Sequence, residues 1–422
     1  MHRAVIRGGE YKVTASYPEA ESMSTMKIAI NGMGIAGPAL AYWLHRFGHE
    51  PTLIERAPGP RPGGYLVDCW GLGYDQAEKM GILPELLELG YHVQEVRWVD
   101  DAGKADASFD PQILSHMVDD RFVTIERGDL AMALFRLVDG KVEMLFGDSI
   151  DSIDQHEDRV DVTFEQASPR AFDLVIGADG LHSRVRELTF GPMEQFEQYL
   201  EMRVAAVEVD SYQPRDELTF ISHTEPKRQV SRFSKRDDKT LFLLGIREPL
   251  VGPGVPRTDD EKREELKQGF AGMGWECPQI LDALDQMNHI YYDVVSQIHM
   301  DHWTRGRVAL VGDAAACLSL LAGEGTGMGM LEAYVLAGEL ALAGDDYQTA
   351  FARYEERLQP LIKQKQKNAL KVAPTYLPKG HLAIFVRNVI TRILPPRAVA
   401  RIALMSVKDD FVSPEYEQQL NL

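Results

Sequence analysis

The residues with the clearest chemical content are Gly32-Met33-Gly34-Ile35-Ala36-Gly37, a G-x-G-x-x-G run. In such a run the first glycine permits a tight turn, the second lets a pyrophosphate approach the backbone, and the third lets a helix lie close against a strand. A helix opening there presents unpaired N–H groups and its positive end to phosphate. Glu55 stands eighteen residues beyond Gly37 at the end of the next apolar segment. A carboxylate in that place accepts hydrogen bonds from ribose hydroxyls. The two features together point to a dinucleotide; a glycine-rich turn with no ligand is the reading left to the glycines alone.

These residues need a strand, a turn and a helix to position them, and the local pattern supplies all three. Residues 27–31 form an apolar strand, residues 37–47 carry apolar positions at helical spacing, and residues 51–55 form a second strand. That is a βαβ unit about thirty residues long. Further along, the pattern predicts a helical stretch over 74–89, strand-like segments at 93–99 and 122–125, and a helix from Arg127 through Leu137. Hairpin-like segments at 142–146 and 160–164 lead into an apolar strand over 172–177 that returns to the first sheet. Residues 200–247 read as a separate antiparallel sheet, resumed at 291–299 after helical patterns at 259–270 and 278–287. A buried strand at 307–312 is followed by a glycine-rich entry to a helix reaching Leu342, a long helix over 345–371, and two amphipathic segments around Pro395-Pro396.

Composition narrows the functional classes. The chain has 422 residues, with 45 Lys+Arg against 64 Asp+Glu and a net charge of −19, which disfavours nucleic acid and anionic membranes as partners. Three cysteines, Cys69, Cys277 and Cys317, form no C-x-x-C pair and have no His at zinc spacing. No disulfide framework and no metal site is expected, and the cytoplasm is the expected compartment. No run approaches the roughly 18 apolar residues a membrane span needs. The polar stretch over 1–25 reads as a disordered leader, with a short packing arm as the alternative.

Three motifs in order carry a family resemblance: the fingerprint with Glu55-Arg56; Gly177-Ala178-Asp179-Gly180-Leu181-His182-Ser183-Arg184-Val185-Arg186; and Gly306-Arg307-Val308-Ala309-Leu310-Val311-Gly312-Asp313-Ala314-Ala315. With them, residues 27–342 resemble the flavoprotein monooxygenases of the p-hydroxybenzoate hydroxylase type, the branch of aromatic hydroxylases and tetracycline-inactivating flavoenzymes. The resemblance implies non-covalent FAD, with NADPH or NADH as a transient co-substrate and O2 as oxidant. It implies hydroxylation of an aromatic, polycyclic or conjugated small molecule through a flavin C4a-hydroperoxide, with the flavin carrying the chemistry and no catalytic side chain required. Only one dinucleotide fingerprint is found, which separates the chain from enzymes with a second nicotinamide domain. A same-fold reductase or desaturase of a lipid-like substrate, and a non-redox FAD-binding protein, remain as alternatives.

The resemblance makes Gly32, Gly34, Ile35, Ala36, Gly37, Glu55, Arg56, Arg127, Asp179, Gly180, Gly312, Asp313, Gly325 and Thr326 the cofactor-binding candidates. Asp313 is also suited to a helix N-cap, and Arg127 to a surface position at a helix start. Arg184 and Arg186 read as organisers of their loop through salt bridges, and Cys317 as a small buried filler. For substrate, Asp68 is a candidate that could equally order its loop, and Arg203, His223, Arg232 and Gln297 are the polar candidates of the antiparallel sheet. The chain departs from the family pattern at 316–321, where His and Pro-Pro are common, at Glu324 in place of Gln, and at Gly327 in place of Asn.

The expected fold is α/β: a Rossmann-like FAD-binding domain from 26–95, 120–195 and 300–345, an inserted antiparallel-sheet substrate domain from 96–119 and 196–299, and a helical C-terminal tail over 346–422. That tail is locally basic between Lys379 and Lys408. Packing on the acidic body is favoured for it over covering the substrate entrance or touching a membrane. A monomer or homodimer is expected.

Overall fold

A computed structural model describes residues 25–60, 64–252, 254–287, 290–395, 398 and 411–422. The leader over 1–24 and most of the second tail segment lie outside the described residues.

The strand Lys27–Asn31, the helix Ala36–Arg46 and the strand Glu50–Glu55 form the first unit. All four residues from Ile28 to Asn31 are buried, because this strand sits inside a six-stranded sheet with helices on its faces. Lys27–Asn31 pairs in parallel with Glu50–Glu55 on one side and with Leu174–Gly177 on the other, and Leu174–Gly177 pairs in parallel with Val308–Leu310. Sequence segments almost 300 residues apart thus end side by side at one edge of one sheet. The helix Gly325–Ala343 packs across Ala36–Arg46 with nearly every residue buried, which explains why it shows no amphipathic stripe.

A seven-stranded sheet forms the second body. In spatial order it runs Tyr291–Ile298, Glu197–Asp210, Lys239–Arg247, Arg228–Ser234, Thr219–Glu225, Glu95–Val99 and Ala105–Phe109. It is antiparallel except where Thr219–Glu225 runs parallel to Glu95–Val99. Its outer face carries a separate apolar cluster built on Phe242, Leu244, Ile246 and the helices Asp259–Phe270 and Cys277–Ala283.

Two local expectations differ from the structure. The helical stretch over 74–89 is two helices, Leu72–Lys79 and Leu83–Leu89, broken where Gly81 takes a φ of +75°. The segments at 142–146 and 160–164 do not pair with each other. Glu143–Phe146 joins the parallel sheet beside Glu50–Glu55, while Val160–Phe164 pairs with Ile150–Gln155 and Arg170–Phe172 in a small antiparallel sheet. Ile150–Gln155 escapes pattern recognition because only Ile150 in it is fully buried.

The tail is the helix Tyr347–Tyr376 followed by His381–Ile393. The second helix lies on the edge strand Ala105–Phe109: Asn388 Nδ2 and Arg392 Nη2 donate to the Asp106 carboxylate, and Arg387 sits over the Trp98 ring at 5.2 Å. Leu382, Phe385 and Ile393 on the same helix are exposed. No helix among the described residues is long and apolar enough to cross a membrane.

Candidate functional site

A cavity of about 680 Å³ lies between the two sheets. That is within the range of about 300–1,000 Å³ that holds small molecules and cofactors. The three motifs meet there. Gly32, Gly34, Ile35, Ala36, Glu55, Arg56, Arg127, Asp179, Gly180, Gly312, Asp313, Gly325 and Thr326 all line it. Gly37 does not; it is the packing glycine, since a Cβ on it would lie 1.9 Å from the Gly32 carbonyl oxygen.

The glycines divide by what surrounds them. Gly32 has a φ of +110°, and a Cβ there would lie 2.4 Å from the Ala178 carbonyl oxygen, so the first and second motifs touch backbone to backbone. Gly34 instead faces open space; the nearest atom to an added Cβ is Arg127 Nη2 at 3.4 Å. Arg127 starts the helix Arg127–Val138, and its amide donates to the Tyr65 carbonyl at 3.0 Å. Among the described residues its guanidinium meets no carboxylate at ion-pair distance. An open glycine turn at a helix start, with an uncompensated guanidinium beside it, fits a pyrophosphate.

The carboxylates are more committed to the fold than their spacing suggests. Glu55 accepts from the Met33 amide at 2.9 Å and the Ala57 amide at 2.8 Å, which ties the glycine turn to the second strand. Asp179 accepts from Asn31 Nδ2, Ser183 Oγ and the amides of Arg184 and Val185. It acts as an organiser of the turn into the helix Arg184–Thr189, and its backbone lies at the cavity. Asp313 faces the cavity, so its surface is open there, yet protein surrounds it; this desolvation raises its pKa. Arg184 pairs with Glu187, whereas Arg186 is buried and donates to the carbonyls of Ala314 and Leu181 rather than to carboxylates. Arg56 pairs with Glu165 at the rim.

The opposite wall is aromatic and apolar. Tyr65 and Tyr291 face each other with ring centroids 5.4 Å apart, and Leu243, Leu320, Leu321 and Tyr376 complete it. Asp68 lies in this cavity and accepts from Thr124 Oγ1 at 2.6 Å; burial raises its pKa. Cys317 is buried, its thiol pushed well up by desolvation, and it donates to the Ser296 carbonyl. It fills space rather than offering a thiolate.

The other four substrate candidates lie outside the cavity lining, each held by the sheet's own polar partners. Arg203 donates two bonds to Glu265, Arg232 pairs with Asp216 and Glu276, and His223 bonds the Val99 carbonyl. Gln297 donates to the carbonyls of Leu318 and Gln366. Their strand positions alternate away from the cavity or end in buried networks, which sequence position alone does not reveal. Conversely, Tyr65, Tyr291, Tyr376 and the pair His182 Nε2–Asp293 Oδ1 at 3.0 Å line the cavity without having been singled out. His182 lies within the second motif; nothing local marks the tyrosines.

The departures from the family pattern have local causes. Gly327 lies so close to Gly73 that a Cβ on it would be 2.8 Å from the Gly73 Cα, leaving no room for Asn. Glu324, beside the glycine-rich helix start, pairs with Lys365 of the helix Tyr347–Tyr376. Ser319 holds a φ of +77° in place of a rigid proline turn.

Comparison with known proteins agrees with this geometry. A family model described as "FAD binding domain" matches residues 25–369. An uncharacterized protein of Mycobacterium tuberculosis is 37% identical over 340 residues, covering 80% of this chain and 91% of its own. A flavin-dependent monooxygenase from an unknown prokaryotic organism is 33% identical over 393 residues, covering 93% of this chain and 99% of its own. Among solved structures, tetracycline destructase Tet(51) superposes with a TM-score of 0.80 at 32% identity, covering 93% of this chain and all of the other.

Proposed function

The chain belongs to the FAD-binding-domain family and is a FAD-dependent monooxygenase, and from that premise we propose that it uses NAD(P)H and O2 to hydroxylate a flat aromatic, polycyclic or conjugated small molecule. The observation that carries this reading is the two-sided cavity: glycine turns from three distant segments on one wall, and Tyr65, Leu243, Tyr291, Leu320, Leu321 and Tyr376 on the other.

When bound, FAD would supply the redox chemistry that couples NAD(P)H oxidation to oxygen transfer. The chain's own residues do the rest. The helix start at Ala36 and the Arg127 guanidinium would hold the pyrophosphate. Glu55, which lines the cavity, would accept from ribose hydroxyls. Gly325 and Thr326 line the cavity at the start of Gly325–Ala343, and the positive end of that helix would stabilise negative charge that develops there. The tyrosines and leucines would exclude water and offer an apolar wall to a planar substrate. Asp68, held through Oδ1 by Thr124 and with its pKa raised by burial, leaves its other oxygen for a polar group of the substrate.

The test is a panel of aromatic and polycyclic compounds added to FAD-loaded protein with NADPH or NADH. At least one compound is expected to accelerate nicotinamide oxidation and to gain one oxygen atom from labelled O2, with turnover stopping under anaerobic conditions. Product formation without O2, or a bound flavin that no ligand allows NAD(P)H to reduce, overturns the reading.

A further inference from the structure

The buried His223 is the starting point. Its side chain is 2% exposed, and Nδ1 lies 3.0 Å from the Val99 carbonyl oxygen on the neighbouring strand. A carbonyl only accepts, so Nδ1 carries a proton, and in the neutral ring Nε2 presents a lone pair. That lone pair has no hydrogen-bond partner. It faces two more acceptors, Asp101 Oδ1 at 3.3 Å and Glu225 Oε1 at 3.8 Å. Three acceptors turned toward one point, with no donor of their own among them when the ring is neutral, call for a shared positive charge, and a metal ion supplies it to all three at once.

The surroundings are those of a metal ligand set. Ligating histidines usually donate their other ring N–H to a carbonyl or carboxylate, which fixes tautomer and ring orientation. Here Val99 does so. Glu225 is held by its other oxygen, Oε2, which accepts from Arg228 Nε at 3.0 Å and Nη2 at 2.5 Å, leaving Oε1 toward the histidine. The three ligand atoms lie within 4.8 Å of one another. Two tetrahedral ligands each about 2.0–2.1 Å from Zn²⁺ are about 3.4 Å apart, which matches the His223–Asp101 separation and asks only a small approach of Glu225.

We propose that Asp101, His223 and Glu225 form a divalent-metal site, of the one-imidazole, two-carboxylate class that suits Zn²⁺, with water in the remaining position. None of the three lines the cofactor cavity, and the role is structural. Asp101 lies in the turn 100–104, which the Asp100 side chain closes by accepting from the amides of Ala102 and Lys104. Its carbonyl also accepts from the Trp275 amide at 2.7 Å. A bound ion clips this turn, and with it the start of Cys277–Ala283, to the strand Thr219–Glu225.

The test uses FAD-loaded protein stripped with a chelator, then titrated with Zn²⁺ and Co²⁺ by calorimetry, visible difference spectroscopy and thermal melting. One equivalent is expected to bind, with ligand-field bands for Co²⁺ and a higher melting temperature. Asp101→Asn, whose side chain is 82% exposed and whose loss leaves the fold intact, and Glu225→Gln should each weaken binding at least about tenfold with FAD content unchanged. Absence of stoichiometric binding to the parent protein, or equal affinity in both variants, overturns the proposal; the three groups would then share a proton instead.

Discussion

Single residues at the cavity have separable roles. Arg127 at the cavity has no carboxylate at ion-pair distance among the described residues, so Arg127→Ala removes an attraction made chiefly to ligand. A charge-assisted bond is worth about 1.5–3 kcal/mol, so FAD should dissociate roughly ten- to hundredfold more readily in a fluorescence titration, with the melting temperature of the apo form little changed. Glu332 is a different case. Buried in Gly325–Ala343, it accepts from the Gly312 amide at 2.6 Å, and desolvation pushes its pKa up to about 8. The folded state therefore keeps a proton that the unfolded chain has released, and this contribution is full below the ordinary value near 4.5 and lost as pH rises toward 8. Glu332→Gln keeps the acceptor and cannot ionise. The fall of melting temperature between pH 5 and pH 8 should be shallower in the variant, whereas matching slopes would show that Glu332 does not titrate there. Asp313 and Asp68 add the same sign in both proteins.

Among the elements, the helix start at Gly325 depends on a neighbour far away in sequence. Lys365, buried on Tyr347–Tyr376, holds Glu324 beside that start, so the long helix fixes a turn on the cavity wall. Removing one partner of a buried pair typically costs about 3–5 kcal/mol. Lys365→Met should lower the melting temperature and shift the absorbance of bound flavin, and Glu324→Gln in the same background should restore part of both. An unchanged flavin spectrum would show that the pair supports the helix without shaping the site. The βαβ unit was legible in sequence because its glycines, apolar runs and Glu55 are local and close in number. The strand Ile150–Gln155 was not, since it offers one buried side chain to a pattern that needs alternation.

At the scale of the whole molecule, the cavity is the seam between two sheets, so a ligand that spans it holds both. FAD at about a hundredfold excess over its dissociation constant should stabilise the fold by about 2.7 kcal/mol. Calorimetry should then give one sharper, later transition than the apo protein, whereas two transitions of which only one moves with FAD would place the binding contacts within one body alone.

By itself the sequence determined the parts whose cause is local: the tight glycine turn, the parallel strands that read as apolar runs, and the three motifs that resemble one family. Only the tertiary structure decided which polar side chains face the cavity. Arg203, His223, Arg232 and Gln297 resemble pocket residues in sequence, yet each is claimed by a partner at least 21 positions away. Tyr65 and Tyr291 show no local signal and meet across the seam. Which groups satisfy one another depends on strand register and on long-range closure, and neither is written in the spacing of neighbouring residues.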